Sequence, residues 1–399
     1  MVIEVIKREH YIKQIREFYD SDLIKIITGI RRSGKSVILE QVMNEIKENG
    51  NKIIYLNFED RKTINVVKNG NELIDYVLSF SNNKKIYVFL DEVQLLDGYV
   101  DAVKTLRLHN CSLFITGSNS KILSKEFTKD FSGRYVQFRI KPFIYKELLL
   151  YSNELNKEVS IIDYLVWGGF PKRIEFDSSE AQYRYLSDLE ETIVFNDLIQ
   201  RFNIRKVDLF KDIVMFLFRS SGEKISLRSI KDYIKHNHES CSVNTIIKYI
   251  EYLEEAYIIE KIKPYSSRKK DTLKYFFKVY NEDVMFNSLY VNDNRYDLTH
   301  NLENIVYNEL IYMGYDINVY NEDNTEVDFL AYKDGKSYYI QVAYSVQDNK
   351  AYDREFRPFK KLDNTCKKIL ITNDEIDYST STVNHIKVKD FLLMESLDD

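Results

Sequence analysis

The chain has 399 residues, 44% hydrophobic and 30% charged, with a net charge of −5. That length suits two or three domains with folded cores and excludes wholesale disorder. Twelve Gly and four Pro exclude a collagen-like or Pro/Gly-rich chain. Cys111, Cys241 and Cys366 lie far apart, which gives no disulfide framework and no CxxC pair, fits a reducing cytosol and argues against a structural zinc site. Met1–His10 lacks the apolar core of a signal peptide, and apolar runs such as Ile86–Leu90 fall far short of the ~20 residues that span a bilayer. A cytoplasmic protein with no membrane segment is expected. The 31 tyrosines read as coding bias before they read as function.

Charge is uneven along the chain. Residues 1–202 are neutral overall, residues 203–280 carry a net +6 and residues 281–399 a net −11. A basic middle and an acidic tail suggest modules with separate jobs.

Leu23–Thr28 is an apolar run of buried-strand type. Gly29-Ile30-Arg31-Arg32-Ser33-Gly34-Lys35-Ser36 follows at once and matches G-x-x-x-x-G-K-[ST], the Walker A loop. Ile38, Leu39, Val42, Met43 and Ile46 then recur at helical spacing, so the motif stands between a strand and a helix, as its chemistry requires. The glycines let the backbone curl until its N–H groups face phosphate oxygens, and the helix N-terminus adds positive potential. Lys35 can reach the β- and γ-phosphates and Ser36 can ligate Mg²⁺. Lys52–Asn57 reads as another buried strand. Ile86–Leu90 is a third and ends in Asp91-Glu92, a Walker B pattern in which Asp91 holds Mg²⁺ and Glu92 polarises the attacking water. Ser112–Thr116 is a fourth strand and runs into Gly117-Ser118-Asn119-Ser120. The expected ligands are ATP and Mg²⁺.

The stretches GIRRSGKS (29–36), FLDEVQ (89–94), FITGSNS (114–120), SGRY (132–135), KPFIYKE (141–147) and YLVWGGFP (164–171) together resemble a family of predicted prokaryotic ATPases. Its members join an AAA+ domain to a C-terminal domain of uncharacterised function. The likeness covers most of the first half of the chain. It implies ATP binding and hydrolysis, with adenine preferred over guanine. By analogy with AAA+ proteins it further implies a sensor at Ser118 or Asn119, an arginine finger at Arg134, and a polar residue at Asn57 that restrains Glu92 or simply caps a strand end. A finger acting in trans demands a homo-oligomer.

Residues 145–202 read as mostly helical, the lid that follows an AAA+ core, with a turn at Gly168-Gly169-Phe170-Pro171 and Trp167 in the core. Residues 226–236 and 243–256 read as helices, the second capped by Ser242, followed by strands at 257–262 and 275–280 around a basic turn. That is winged-helix order. On double-stranded DNA, Arg268, Lys269 and Lys270 would touch phosphates. Glu251, Glu254 and Glu255 on the second helix oppose this, and a lid or protein-contact module is the alternative.

The tail resembles the PD-(D/E)XK nuclease plan: a helix carrying Glu303, a strand carrying Asp328, and a next strand in which Gln341 stands in place of the second acid and Ala343 in place of the lysine. Gln is a poorer Mg²⁺ ligand than a carboxylate and alanine activates no water, so a degenerate, non-cleaving domain is expected.

The expected fold class is α/β: an AAA+ core with a parallel sheet over 1–145, a helical lid over 146–202, a winged-helix-like module over 203–280, and a restriction-endonuclease-like domain over 281–399. The expected function is a Mg²⁺-dependent AAA+ ATPase acting on DNA or on a partner protein. A nucleotide-dependent switch with little turnover and, more weakly, a DNA-cleaving effector are the alternatives.

Overall fold

A computed structural model describes residues 6–81, 84–117, 131–235, 241–265, 276–291, 296–322 and 325–398. The chain divides into two compact units: residues 1–142 with 255–257, and residues 143–254 with 258–399.

The first unit is built on five strands: β1 (Ile24–Thr28), β2 (Lys52–Asn57), β3 (Ile86–Asp91), β4 (Cys111–Thr116) and β5 (Tyr135–Arg139). All their pairings are parallel, in the order β2-β3-β4-β1-β5. Every residue of β1, β3 and β4 is buried, the pattern of a parallel sheet covered on both faces. This is why these segments read as unbroken apolar runs. The core on one face gathers Ile24, Ile26, Val88, Leu90, Leu113 and Ile115 around Leu73 and Leu106 from flanking helices. On β1 even a lysine is buried: the Lys25 ammonium donates to Ser112 Oγ at 2.8 Å and lies 4.6 Å from the Phe114 ring centre, and burial pushes its pKa down to about 7.

The second unit opens with short helices (Tyr145–Glu154, Ile161–Trp167, Ser179–Glu190 and Asp197–Phe202). The turn between the second and third is tight. Gly168 takes φ +68°, and a Cβ on Gly169 would lie 1.8 Å from the Phe143 carbonyl oxygen. The Gly169 N–H donates to buried Asp283 at 2.7 Å. Gly169→Ala is therefore expected to cost about 3 kcal/mol of stability, since the neighbour is backbone and cannot rotate away; a lower thermal midpoint in scanning calorimetry would show it. Trp167, expected in the core, is half-buried, edge-on to Tyr183 and Tyr296.

Next comes helix Val207–Arg219, then β6 (Ile225–Ser226), helices Leu227–Ile234 and Val243–Glu255, β7 (Ile259–Ile262), β8 (Pro264–Tyr265) and β9 (Phe276–Asn281). Ser226 and Ser242 cap the two later helices through Ser229 N at 3.0 Å and Thr245 N at 3.1 Å. β9 pairs antiparallel with both β6 and β7. Arg268, Lys269 and Lys270 lie outside the described residues.

The C-terminal part holds helix Leu298–Tyr312 and strands β10 (Asp316–Glu322), β11 (Thr325–Lys333), β12 (Lys336–Ala343), β13 (Lys367–Thr372) and β14 (Val383–Lys387). With β8 they form one mixed sheet in the order β14-β13-β12-β11-β10-β8. The helix is buried over much of its length, and Asn304 on it exchanges two hydrogen bonds of 2.8 Å with the Asn281 backbone. No described helix is long and apolar enough to cross a membrane.

Candidate nucleotide-binding site

The loop Gly29–Ser36 leaves the carboxyl end of β1 and enters helix Lys35–Glu48. Its first glycine is a steric necessity: φ is +142°, and a Cβ would sit 2.1 Å from the Ile140 carbonyl oxygen. Arg32 (φ 69°) and Gly34 (φ 93°) turn the chain back, the Ile30 carbonyl accepts from Ser33 N at 3.2 Å, and the Ile30 side chain is buried. The loop is braced from behind by Arg8, which is 2% exposed. Its guanidinium donates to the Ser33 carbonyl at 2.9 Å and the Lys141 carbonyl at 3.0 Å. No motif announces Arg8; it lies 21 residues before Gly29, just ahead of helix Glu9–Arg16.

Lys35 is buried and donates to the Ile30 carbonyl at 3.1 Å, inside its own loop. Burial pulls its pKa down to about 8, against the opposing pull of Glu92 and Asp91. The Ser33 hydroxyl is buried in the loop with no hydrogen-bond partner.

Asp91, at the end of β3, is 1% exposed and collects four donors. Oδ1 accepts from Ser36 Oγ at 3.3 Å and from Thr116 Oγ1; Oδ2 accepts from Tyr55 OH at 3.3 Å and Asn57 Nδ2 at 3.4 Å. Strand register explains the set. Asn57 pairs with Asp91 across β2–β3, and Leu90 pairs with Ile115 across β3–β4, which brings Thr116 alongside Asp91. Glu92 leaves the strand in a left-handed conformation (φ 51°), and its N–H donates to Thr116 Oγ1 at 3.0 Å. Its carboxylate accepts from Gln94 Nε2. Asn57 thus contacts Asp91 rather than Glu92, and its Oδ1 caps Glu59 N at 2.8 Å, as a strand-end cap does. Thr116 and Gln94 were not singled out by sequence. Only the alignment of β3 with β4 exposes Thr116; Gln94 stood in the open in FLDEVQ.

Ser36 Oγ and Asp91 Oδ1 are adjacent hard oxygens at the mouth of a phosphate-type loop, the donor set Mg²⁺ takes when phosphates and waters complete its shell. The residues present fit that ion.

Arg134 stands elsewhere. It precedes β5, its carbonyl accepts from Ile24 N at 3.0 Å, and Tyr135 pairs with Ile24 at the start of β1. The loop begins after Thr28, about 15 Å away at the rise of a strand. The backbone of Arg134 thus lies at the opposite end of the strands from the loop. The arginine brought level with Thr28 is Arg139. Ser118 and Asn119 lie outside the described residues.

In the second unit the structure brings Glu303 and Asp328 together, but around a lysine that sequence did not flag. Lys278, on β9, reaches Glu303 Oε1 at 3.0 Å, Asp328 Oδ1 at 3.4 Å and Glu326 Oε1 at 3.7 Å. Tyr280 OH donates to Glu303 at 2.7 Å, and Val342 N to Asp328 Oδ2 at 2.9 Å. Gln341 turns to Glu355, donating at 2.7 Å. Asp328, Gln341 and Glu355 share a cavity of about 280 Å³ with Arg354, Arg357 and Lys361. An ammonium thus sits between Glu303 and Asp328. No group of three or more His, Cys, Asp or Glu gathers in a metal-holding arrangement among the described residues.

These features define a P-loop nucleotide-binding unit of the AAA+ class, and an AAA domain model matches residues 21–149. Two further models, both for domains of unknown function, match residues 158–289 (DUF8612) and 298–391 (DUF4143). An uncharacterised protein of Haemophilus influenzae is 32% identical over 96% of this chain and 97% of its own length. Another, MJ1544 of Methanocaldococcus jannaschii, is 33% identical over 93% of this chain and 86% of its own. The chain belongs to the family of these two proteins. Among solved structures, AMPPCP-bound DnaA from Aquifex aeolicus matches at TM-score 0.33 and 19% identity over 61% of this chain and 86% of its own. The Aeropyrum pernix ORC1 protein in complex with DNA matches at 0.30 and 13% over 72% and 93%. Likenesses that loose carry no ligand over to this chain.

Proposed function

We propose that the protein is a Mg²⁺-dependent ATPase whose turnover drives a change in its second unit. The observation that carries this reading is the junction at Asp91: the P-loop hydroxyl donates to the metal-type carboxylate, and Thr116 from the next strand bonds both that carboxylate and the Glu92 N–H. A module that only binds nucleotide has no use for Glu92. In this reading the loop N–H groups and Lys35 bind the phosphates. Ser36 and Asp91 hold Mg²⁺, which when bound neutralises phosphate charge. Glu92 takes a proton from water. Asn119 acts as sensor, and Arg134 serves only the site of a second copy.

The element order of residues 207–281, with a three-stranded sheet closing on β9, supports a winged helix, and the basic turn at 268–270 supports contact with double-stranded DNA. The 281–399 region is read as a nuclease-like fold that does not cleave, since Lys278 fills the place of a cation.

Steady-state ATP hydrolysis with Mg²⁺, with and without double-stranded DNA, tests the reading in wild type and Lys35→Ala. Lys35-dependent turnover is the expected result, and stimulation by DNA would extend it to the winged helix. Tight ATP binding without turnover would leave a nucleotide switch.

The depressed pKa of Lys35 adds a second expectation. Burial holds the Lys35 ammonium to a pKa of about 8, whereas bound phosphates favour the ammonium. ATP binding must then take up a proton above that pH. Affinity is expected to fall about fivefold from pH 8 to pH 9 and to change little between pH 6.5 and 7.5. Calorimetric titrations in buffers of different ionisation enthalpy read both the affinity and the proton.

A further inference from the structure

Strand β3 ends at Asp91, and the chain then makes a single tight helical turn over Val93–Leu95, closed by Leu95 N donating to the Glu92 carbonyl at 3.1 Å and Leu96 N to the Val93 carbonyl at 3.0 Å. That turn brings Gln94 back onto its neighbour but one, so that Gln94 Nε2 donates to Glu92 Oε2. An ionised carboxylate only accepts, so the amide must present its nitrogen to Glu92 and its oxygen elsewhere. The oxygen is buried and has no hydrogen-bond partner. Leaving a buried acceptor unmet costs free energy, and the arrangement tolerates that to keep the donor on Glu92.

We propose that Gln94 is a positioning residue for ATP hydrolysis: its amide fixes the plane and rotamer of the Glu92 carboxylate so that Glu92 meets the attacking water in one orientation. Both residues belong to one turn. The backbone of that turn is pinned from β4 by Thr116, which accepts the Glu92 N–H. The contact is therefore local to the turn, made by two residues of one short segment. This sets it apart from Asn57, which approaches from another strand and bonds Asp91. The proposal rests on the ATPase reading above.

Gln94→Ala removes this donor from the Glu92 carboxylate. It is expected to lower kcat for ATP about 10- to 100-fold, with KM and the ATP dissociation constant within about twofold of wild type, because Gln94 touches neither phosphate nor loop. A packing role alone would shift the thermal midpoint and ATP affinity and leave kcat near that of wild type. Unchanged or increased kcat in Gln94→Ala overturns the proposal. Lys35→Ala and Glu92→Gln measured alongside separate the two readings. If wild-type turnover is absent, both fall. If turnover depends on Lys35 and Glu92 but not on Gln94, only the positioning role falls.

Discussion

Glu92→Gln is expected to reduce kcat for ATP by about two to four orders of magnitude while leaving the ATP dissociation constant within a few-fold of wild type. The substitution keeps the side chain's size and most of its hydrogen-bonding capacity but removes the basicity. The backbone of residue 92 is set by its bond to Thr116 and by the turn that follows, so the variant should keep its local fold. The oxygens that meet Mg²⁺, on Ser36 and Asp91, are untouched. Single-turnover hydrolysis against equilibrium ATP binding makes the comparison. A kcat within threefold of wild type would assign the proton to another group and sink the role given to Glu92.

Lys278→Met is the second large effect. One ammonium, 5% exposed, serves the buried carboxylates of Glu303 and Asp328 and the nearer edge of Glu326. Burial costs the ammonium its hydration, and the acids around it more than offset this, holding its pKa above the ordinary lysine range. Burial and the charge of Glu303 push Asp328 well above the usual carboxylate range. Methionine fills the volume and leaves the acids without a cation, a change of a kind that costs about 3–5 kcal/mol. The sign with pH follows from Asp328. A raised native pKa means that the folded state holds the proton more tightly than the unfolded state. Stability then falls as pH rises from the unfolded to the folded value, and without Lys278 that window widens. The loss is expected to be greatest near pH 8 and to shrink toward pH 5.5, where a proton takes over the task of the ammonium. Thermal midpoints of both proteins at the two pH values read the difference. An equal gap at both would mean that Lys278 does not balance these acids.

Much of the first unit could be read directly from sequence, for a physical reason. Parallel strands buried on both faces must be continuous apolar runs, and the loop after β1 needs glycine where a Cβ would strike the Ile140 carbonyl. Local chemistry of this kind leaves a local mark. What depends on register leaves none: Thr116 reads as the last residue of a strand until β4 is laid beside β3. The same holds for Lys278, which lies 25 residues before Glu303 and 50 before Asp328 and meets them only through the packing of β9 on helix Leu298–Tyr312 and β11. The nuclease-like pattern runs from Glu303 to Ala343, and the cation comes from outside it. Arg134 shows the reverse case. Its place in the sequence suited a finger, and the pairing of Tyr135 with Ile24 sets it at the far end of the strands.

Arg8 bears on where the nucleotide-binding unit begins. The family match starts at residue 21, and a fragment cut there would keep every motif residue while losing the guanidinium that holds the Ser33 and Lys141 carbonyls. Those carbonyls would face a cavity in place of a cation, and the phosphate loop would lose its floor. The smallest piece of this chain that keeps the loop braced therefore starts ahead of its first strand, in a segment that the domain match leaves out.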